Sequence, residues 1–291
     1  MLKAGWMLAG AAAMGIASPA AAQHFRNGGK LLLTGGVSTV EGSAGGGLAS
    51  WAVIGGEETD AGIGATLHAT YVPLDAYSLA SFGVAVGVKD RLELSYAHQA
   101  FDTHDVGAAL GLGQGFTFTQ DVFGAKLRLF GDAVYDQDKL LPQVSVGVQY
   151  KHAGRGAIIR AVGGRHDSGT DFTIAATKVL LRQSLVLDGT VRFTKANQFG
   201  LLGFGGDRSD SYSAQFEGSA ALLLSRHLAV GAEVRTKPDT LRFAEEDDAY
   251  DLFAAWAPMH HLTLTAAYVD LGDIATVKAQ HGAFLSIQAS Y

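Results

Sequence analysis

Hydrophobic and polar positions alternate along most of this chain with a period of two, the spacing of extended strands whose successive side chains point to opposite faces. In the closing stretch GAFLSIQASY (282–291), Ala283, Leu285, Ile287, Ala289 and Tyr291 share one face, and Ser286, Gln288 and Ser290 share the other. Ile63, Ala65, Leu67, Ala69 and Tyr71 repeat the pattern with Thr66, His68 and Thr70 behind them. So do Phe82, Val84, Val86 and Val88, then Leu92, Leu94 and Tyr96, Phe123 to Leu129, and Val144 to Tyr150. A strand with one apolar face and one polar face suits a wall between hydrocarbon and water.

Short and long connections alternate from Gly62 onward. The short ones are Lys89-Asp90-Arg91, Arg182-Gln183, Ser225-Arg226-His227 and Pro258-Met259-His260, with GDAVYDQDK (131–139) as a polar turn. The long ones are 102–119, 152–169 (where 157–162 can form one helical turn), 195–211, 238–248 and 272–281. Short turns on one side and long loops on the other predict an all-β fold, an antiparallel up-and-down transmembrane β-barrel of about 12 strands. It would have about 14 if the preceding segment adds a pair. In this topology Tyr71, Tyr150, Phe193, Tyr212, Tyr250 and Tyr268 fall at the outer ends of the lipid faces, and Trp256 and Tyr291 at the periplasmic ends. Aromatics gathered at two levels are the girdles of a barrel in a bilayer.

The beginning of the chain divides in two. Residues 1–22 have a basic Lys3, a short apolar run and the small-residue site Ala20-Ala21-Ala22, which reads as a secretory signal peptide cleaved before Gln23. Residues 23–60 are Gly-rich and only partly periodic, predicting either an extra strand pair (about 30–40 and 48–56) or a plug inside the barrel of 61–291. The run Gly45-Gly46-Gly47 lacks the Lys-Ser/Thr pair of a phosphate loop and reads as a flexible turn.

Composition agrees with this picture. Cysteine is absent, glycine is 38 of 291 residues and proline only 5, which suits closely packed strands without disulfide staples. The net charge of −6 with no basic cluster argues against a nucleic-acid partner.

Several blocks resemble an uncharacterised family of exported Gram-negative proteins classed as a domain of unknown function. They are LLLTGGVSTVEGSAGGGL (31–48), FGVAVGVKDRLELSYAHQAFDT (82–103), GLGQGFTFTQD (111–121), TKANQFGLLGFGGDRSDSY (194–212), AVGAEVRTKPDTL (229–241) and LTAAYVDLG (264–272). The last strand is also similar to the signature strand of Gram-negative outer-membrane barrels. The resemblance implies an outer-membrane β-barrel and carries no catalytic residues.

The polar faces place charges of both signs in the lumen: Arg91, Glu93, Lys126, Arg128, Lys151, Lys178, Asp188, Arg192, Glu217, Glu233, Arg235 and Asp251. Cross-strand register predicts Glu217 opposite Arg235 and, across a three-residue turn, Lys178 opposite Asp188. Such pairs either neutralise the lumen or line a path for a small polar solute. The loop 195–211 is rich in apolar residues for a solvated segment. Lys195, Asn197, Phe199, Phe204, Asp207 and Arg208 make it a candidate constriction, folded into the lumen beside Glu217 and Arg235, or else packed on neighbouring loops. No metal cluster, nucleophile elbow or cofactor motif occurs, and His68 is a faint hydrolase candidate. The expected function is a passive or solute-selective outer-membrane channel. The alternatives are a non-conducting structural or surface-binding barrel and, behind it, an outer-membrane hydrolase. Expected partners are outer-membrane lipid and, through the last strand, the assembly machinery. N-terminal sequencing of the protein from outer-membrane fractions should begin at Gln23; a Met1 terminus would refute the signal reading.

Overall fold

The computed structural model describes residues 30–60 and 62–291; the signal segment and its cleavage site lie outside the described residues. Two short strands come first, β1 (Val37–Ser38) and β2 (Ala44–Gly45). The wall strands follow as β3 (Ile63–Pro73), β4 (Ser78–Val88), β5 (Leu92–Asp102), β6 (Thr117–Phe130), β7 (Gln143–Ala153) and β8 (Ser168–Leu180). The wall is completed by β9 (Leu185–Thr194), β10 (Ser213–Ser225), β11 (Leu228–Arg235), β12 (Ala249–Met259), β13 (Leu262–Asp270) and β14 (His281–Ser290). Strands β3 to β14 form a closed antiparallel meander of 12 strands in which β14 returns to pair with β3.

Burial is inverted relative to a soluble protein. Leu67, Phe82 and Leu252 face outward at 54%, 57% and 66% exposure, while Thr66, His68, Glu93 and Asp251 are buried inside. Exposed apolar side chains in this number are stable only against hydrocarbon, where the backbone of each strand must be paired within the sheet. Tyr150, Phe193, Tyr212, Tyr250 and Tyr268 are exposed at the ends that lead into the long loops, and Tyr71 at the end of β3 that leads into the short turn 74–77. Trp256 and Tyr291 are exposed at the opposite ends.

The Gly-rich segment adds no strands to the wall. Its place is filled, because the Tyr291 amide donates to the Ala65 carbonyl at 2.7 Å and the Ala65 amide donates to Tyr291 O at 2.7 Å. Instead β1 and β2 pair with each other inside the cylinder. The glycine run is not a flexible turn but a packed one. A Cβ on Gly46 would collide with the Glu233 carboxylate, and Gly47 takes φ +128, a conformation that favours glycine.

Two other expectations are corrected. GDAVYDQDK belongs to a longer connection, 131–142, that folds at the rim opposite the long loops and buries Ala133 and Val134. The β8–β9 turn contains the 3₁₀ turn Leu181–Gln183 and then Ser184 in the left-handed region (φ 53). That extra residue shifts the register, so Asp188 lies opposite Thr177 and Lys178 opposite Leu187. The Glu217–Arg235 pairing is as the sequence register places it. The helical turn expected near 157 is the helix Gly156–Ala161, and a second, His104–Ala109, lies in the β5–β6 loop.

Deleting Tyr291 removes its exchange with Ala65 and a further bond from the Glu57 amide at 3.2 Å. Deletion should therefore lower the fraction of heat-modifiable, assembled barrel more than Tyr291→Ser, which keeps the main chain. Equal assembly of the wild type and the deletion would refute this role.

Candidate functional site in the lumen and outer mouth

The segment from Val37 to Glu58 fills the lumen because the wall answers its main chain from many directions. The Ser38 amide donates to Gln288 at 2.6 Å, Leu48 to Glu233 at 2.8 Å, Ser50 to Glu217 at 2.7 Å, Ala52 to Thr177 at 2.7 Å and Gly55 to Glu93 at 2.7 Å. In the other sense, Ser81 and Gln99 each donate to the Val40 carbonyl at 2.8 Å. Lys126 donates to the carbonyls of Ala44 and Val53 at 3.0 Å. A non-repetitive segment offers unpaired amides and carbonyls at membrane depth, and this polar wall satisfies them.

At its centre sits Glu41, fully buried. Its carboxylate accepts from Lys151 at 2.5 Å and Arg235 at 2.8 Å and lies 3.3 Å from Arg192. Asp171 pairs with Lys151 at 2.7 Å and Arg192 at 3.2 Å, and Glu217 binds Arg192 and lies 3.4 Å from Arg235. Three cations thus meet three anions, and the third anion comes from the plug. Without Glu41 the wall residues of this cluster, Lys151, Arg192 and Arg235 against Asp171 and Glu217, would carry one uncompensated buried positive charge.

Above the plug the character changes. The segment leading out of β9 turns inward at Phe199, whose carbonyl accepts from Gln120 at 3.2 Å and Lys151 at 3.3 Å. The Phe199 ring lies 4.5 Å from the Arg235 guanidinium and 5.5 Å from Lys237, a cation–π arrangement. Beyond it opens a cavity of about 420 Å³. Its floor includes Val40 and Leu48 of the plug, its wall Leu79, Phe101, Phe118, Val269 and Phe284, and its roof residues of all the outer loops.

The wall charges predicted from sequence separate into three places. Glu93, Lys126, Lys151, Asp188, Arg192, Glu217, Glu233, Arg235 and Asp251 are buried facing the lumen. Arg128 sits at the rim that carries the β4–β5 turn, held by Asp90 and by Asp132 at 3.2 Å. Arg91 is exposed in the β4–β5 turn, beyond the end of its strand, and does not line the lumen. Lys178 falls on the outward face and is covered by the 131–142 connection, donating to the carbonyls of Asp136 at 2.7 Å and Asp132 at 3.3 Å.

The outer loop 195–212 divides its residues. Phe199, Leu201 and Leu202 line the cavity, while Phe204 is fully buried and its main chain exchanges bonds with His166 of the neighbouring loop at 2.8 and 3.1 Å. Asn197 donates to Gly205 O at 3.0 Å and accepts from Thr240. The charges do not face the lumen beside Glu217: Lys195 binds Asp210 at 2.7 Å, Arg208 binds Asp239, and Asp207 accepts from the Arg242 amide at 2.9 Å. Water at the loop surface solvates these charges better than an apolar cavity could. Glu246 ties the loop down, accepting from the Gln198 amide at 2.6 Å. Burial pushes its carboxyl up to about 7, against the pull of Lys237.

The alternation pattern missed Glu41, Asp171 and the cavity. An isolated acid in STVEGSAGGG, in a segment too Gly-rich to be a strand, was the available signal for Glu41. His68 meets Ser81 at 3.4 Å, and that hydroxyl donates to the Val40 carbonyl of the plug at 2.8 Å, which ties the pair into the packing.

A family described as protein of unknown function, DUF3034, matches residues 34–288. No curated protein matches the chain. Among solved structures, the KdgM porin is similar with TM-score 0.51 and 7% identity, covering 78% of this chain and 99% of that one. The NanC porin is similar with TM-score 0.50 and 8% identity, covering 77% and 98%. Outer-membrane phospholipase A from Escherichia coli follows at TM-score 0.41 and 8% identity, covering 78% and 92%.

Replacing Glu41 by Gln keeps the shape but leaves the three cations facing two anions. It should destabilise the folded barrel by about 3–5 kcal/mol, the cost of breaking a buried pair, read as a lower urea midpoint in detergent micelles. Adding Lys151→Met should recover part of that loss. Unchanged midpoints would refute the keystone role of Glu41.

Proposed function

The chain belongs to the DUF3034 family, whose match spans plug and wall together, and on that premise we propose that it is an outer-membrane barrel that captures a small apolar molecule at its outer mouth. The observation that carries the reading is the apolar cavity of about 420 Å³ seated on the plug and roofed by the loops. Concave, mostly apolar spaces of this size are the usual form of small-molecule sites. The bonds that ring the plug argue against a standing polar passage and favour capture over free diffusion. Export by the segment 1–22 and residence in the outer membrane belong to the same reading, supported by the lipid-facing apolar belt.

The full chain should therefore insert into planar bilayers without steady open-channel conductance. Cells producing it should accumulate the neutral dye Nile red faster than cells producing Leu202→Asp, which puts a charge into the cavity wall. Large steady conductance together with equal dye uptake by the two proteins would overturn capture in favour of a polar channel.

A further inference from the structure

The chemistry of the cavity lining says which apolar molecules fit. We infer that the site selects uncharged ring hydrocarbons and rejects their carboxylated counterparts, an inference that rests on the capture reading above. Among the described residues, no Asp, Glu, Lys, Arg or His side chain lines the cavity. Its polar members have their donors committed to the protein: Thr103 to the Phe116 carbonyl at 2.7 Å, Tyr77 to the Ile274 carbonyl at 3.2 Å, and the Gln198 side chain to the Asp273 carbonyl at 3.2 Å.

The cations beneath are occupied as well. Arg235 pairs with Glu41 and Glu217, and Lys237 with Glu246 at 3.3 Å and the Leu271 carbonyl at 2.9 Å; the Phe199 ring stacks on both. An anion entering this space would lose its hydration and gain neither a hydrogen bond nor a free counter-charge.

Shape and surface point to rings. Tyr77, Phe101, Phe118, Phe199, Phe243 and Phe284 all contribute to the lining, and Tyr77 and Phe101 already pack with centroids 5.0 Å apart. Aromatic faces and edges favour another ring offset against them. A dry cavity of about 150 Å³ holds benzene, so about 420 Å³ accommodates a molecule of two or three fused rings.

The test uses the full chain in lipid nanodiscs, with empty nanodiscs as the partition baseline, and fluorine NMR of two probes, 1-fluoronaphthalene and 4-fluoro-1-naphthoate. The neutral probe should bind above baseline and the carboxylate at least about tenfold more weakly, because its desolvation is uncompensated. Two variants at the mouth sharpen the result, each checked for heat-modifiable migration. Ala161→Trp, on the exposed turn of the roof helix, should fill the space and abolish binding of the neutral probe. Leu110→Arg, at an exposed rim position, should recover binding of the carboxylate while keeping that of the neutral probe. Equal or tighter binding of the carboxylate by the wild type would overturn the selectivity and leave capture standing. Binding of neither probe above baseline would overturn both.

Discussion

Hydrocarbon offers no partner to a peptide group, and that single constraint organises this molecule. Each wall strand must find neighbours on both sides, so β14 returns to β3 and the sheet closes at 12 strands. Closure has a geometric consequence. A wall of eight strands is just filled by its own side chains; one of 12 encloses more space than its side chains occupy. The chain fills it with its own segment before β3, turned back into the cylinder, where the polar inner faces complete its hydrogen bonds. Wall and plug are thus two answers to the same shortage of partners.

Charge then fixes the plug's position. Buried ion pairs are weak stabilisers overall, because desolvation offsets much of the attraction, but breaking one is costly. Glu41 completes the balance of its own cluster, where Lys151, Arg192 and Arg235 converge on it from three strands and meet only Asp171 and Glu217 from the wall. A segment displaced along the barrel axis would strand those charges. The arrangement therefore acts as a register device as much as a source of stability.

The same anchoring defines the outer mouth. Phe199 rests on Arg235 and Lys237, and the rings and aliphatic side chains above it form an apolar space just where a polar lumen would otherwise meet water. Val40 adjoins Glu41, and Leu48 is held by Glu233 through its amide and by Arg235 through its carbonyl at 3.2 Å. The floor of the cavity is consequently made of residues fixed by the charged layer below. A ligand there would touch the plug at two anchored points, so cavity shape and plug position are physically linked.

The sequence by itself determined the wall. Period-two alternation, aromatics at strand ends and a rhythm of short and long connections each reflect one residue's relation to lipid or water, and such one-body preferences are written locally. Even the Glu217–Arg235 pairing was legible, since a tight turn sets the register of the strands it joins. Where a turn hid an extra residue, as at Ser184, the same logic put Lys178 on the wrong side, and the 131–142 connection that covers it gave no periodic signal. The plug's course, the convergence on Glu41 and the apolar cavity were decided only by the tertiary structure. They join residues from up to twelve strands and all the outer loops, and which of them meet depends on closing the barrel, an event that no local pattern records.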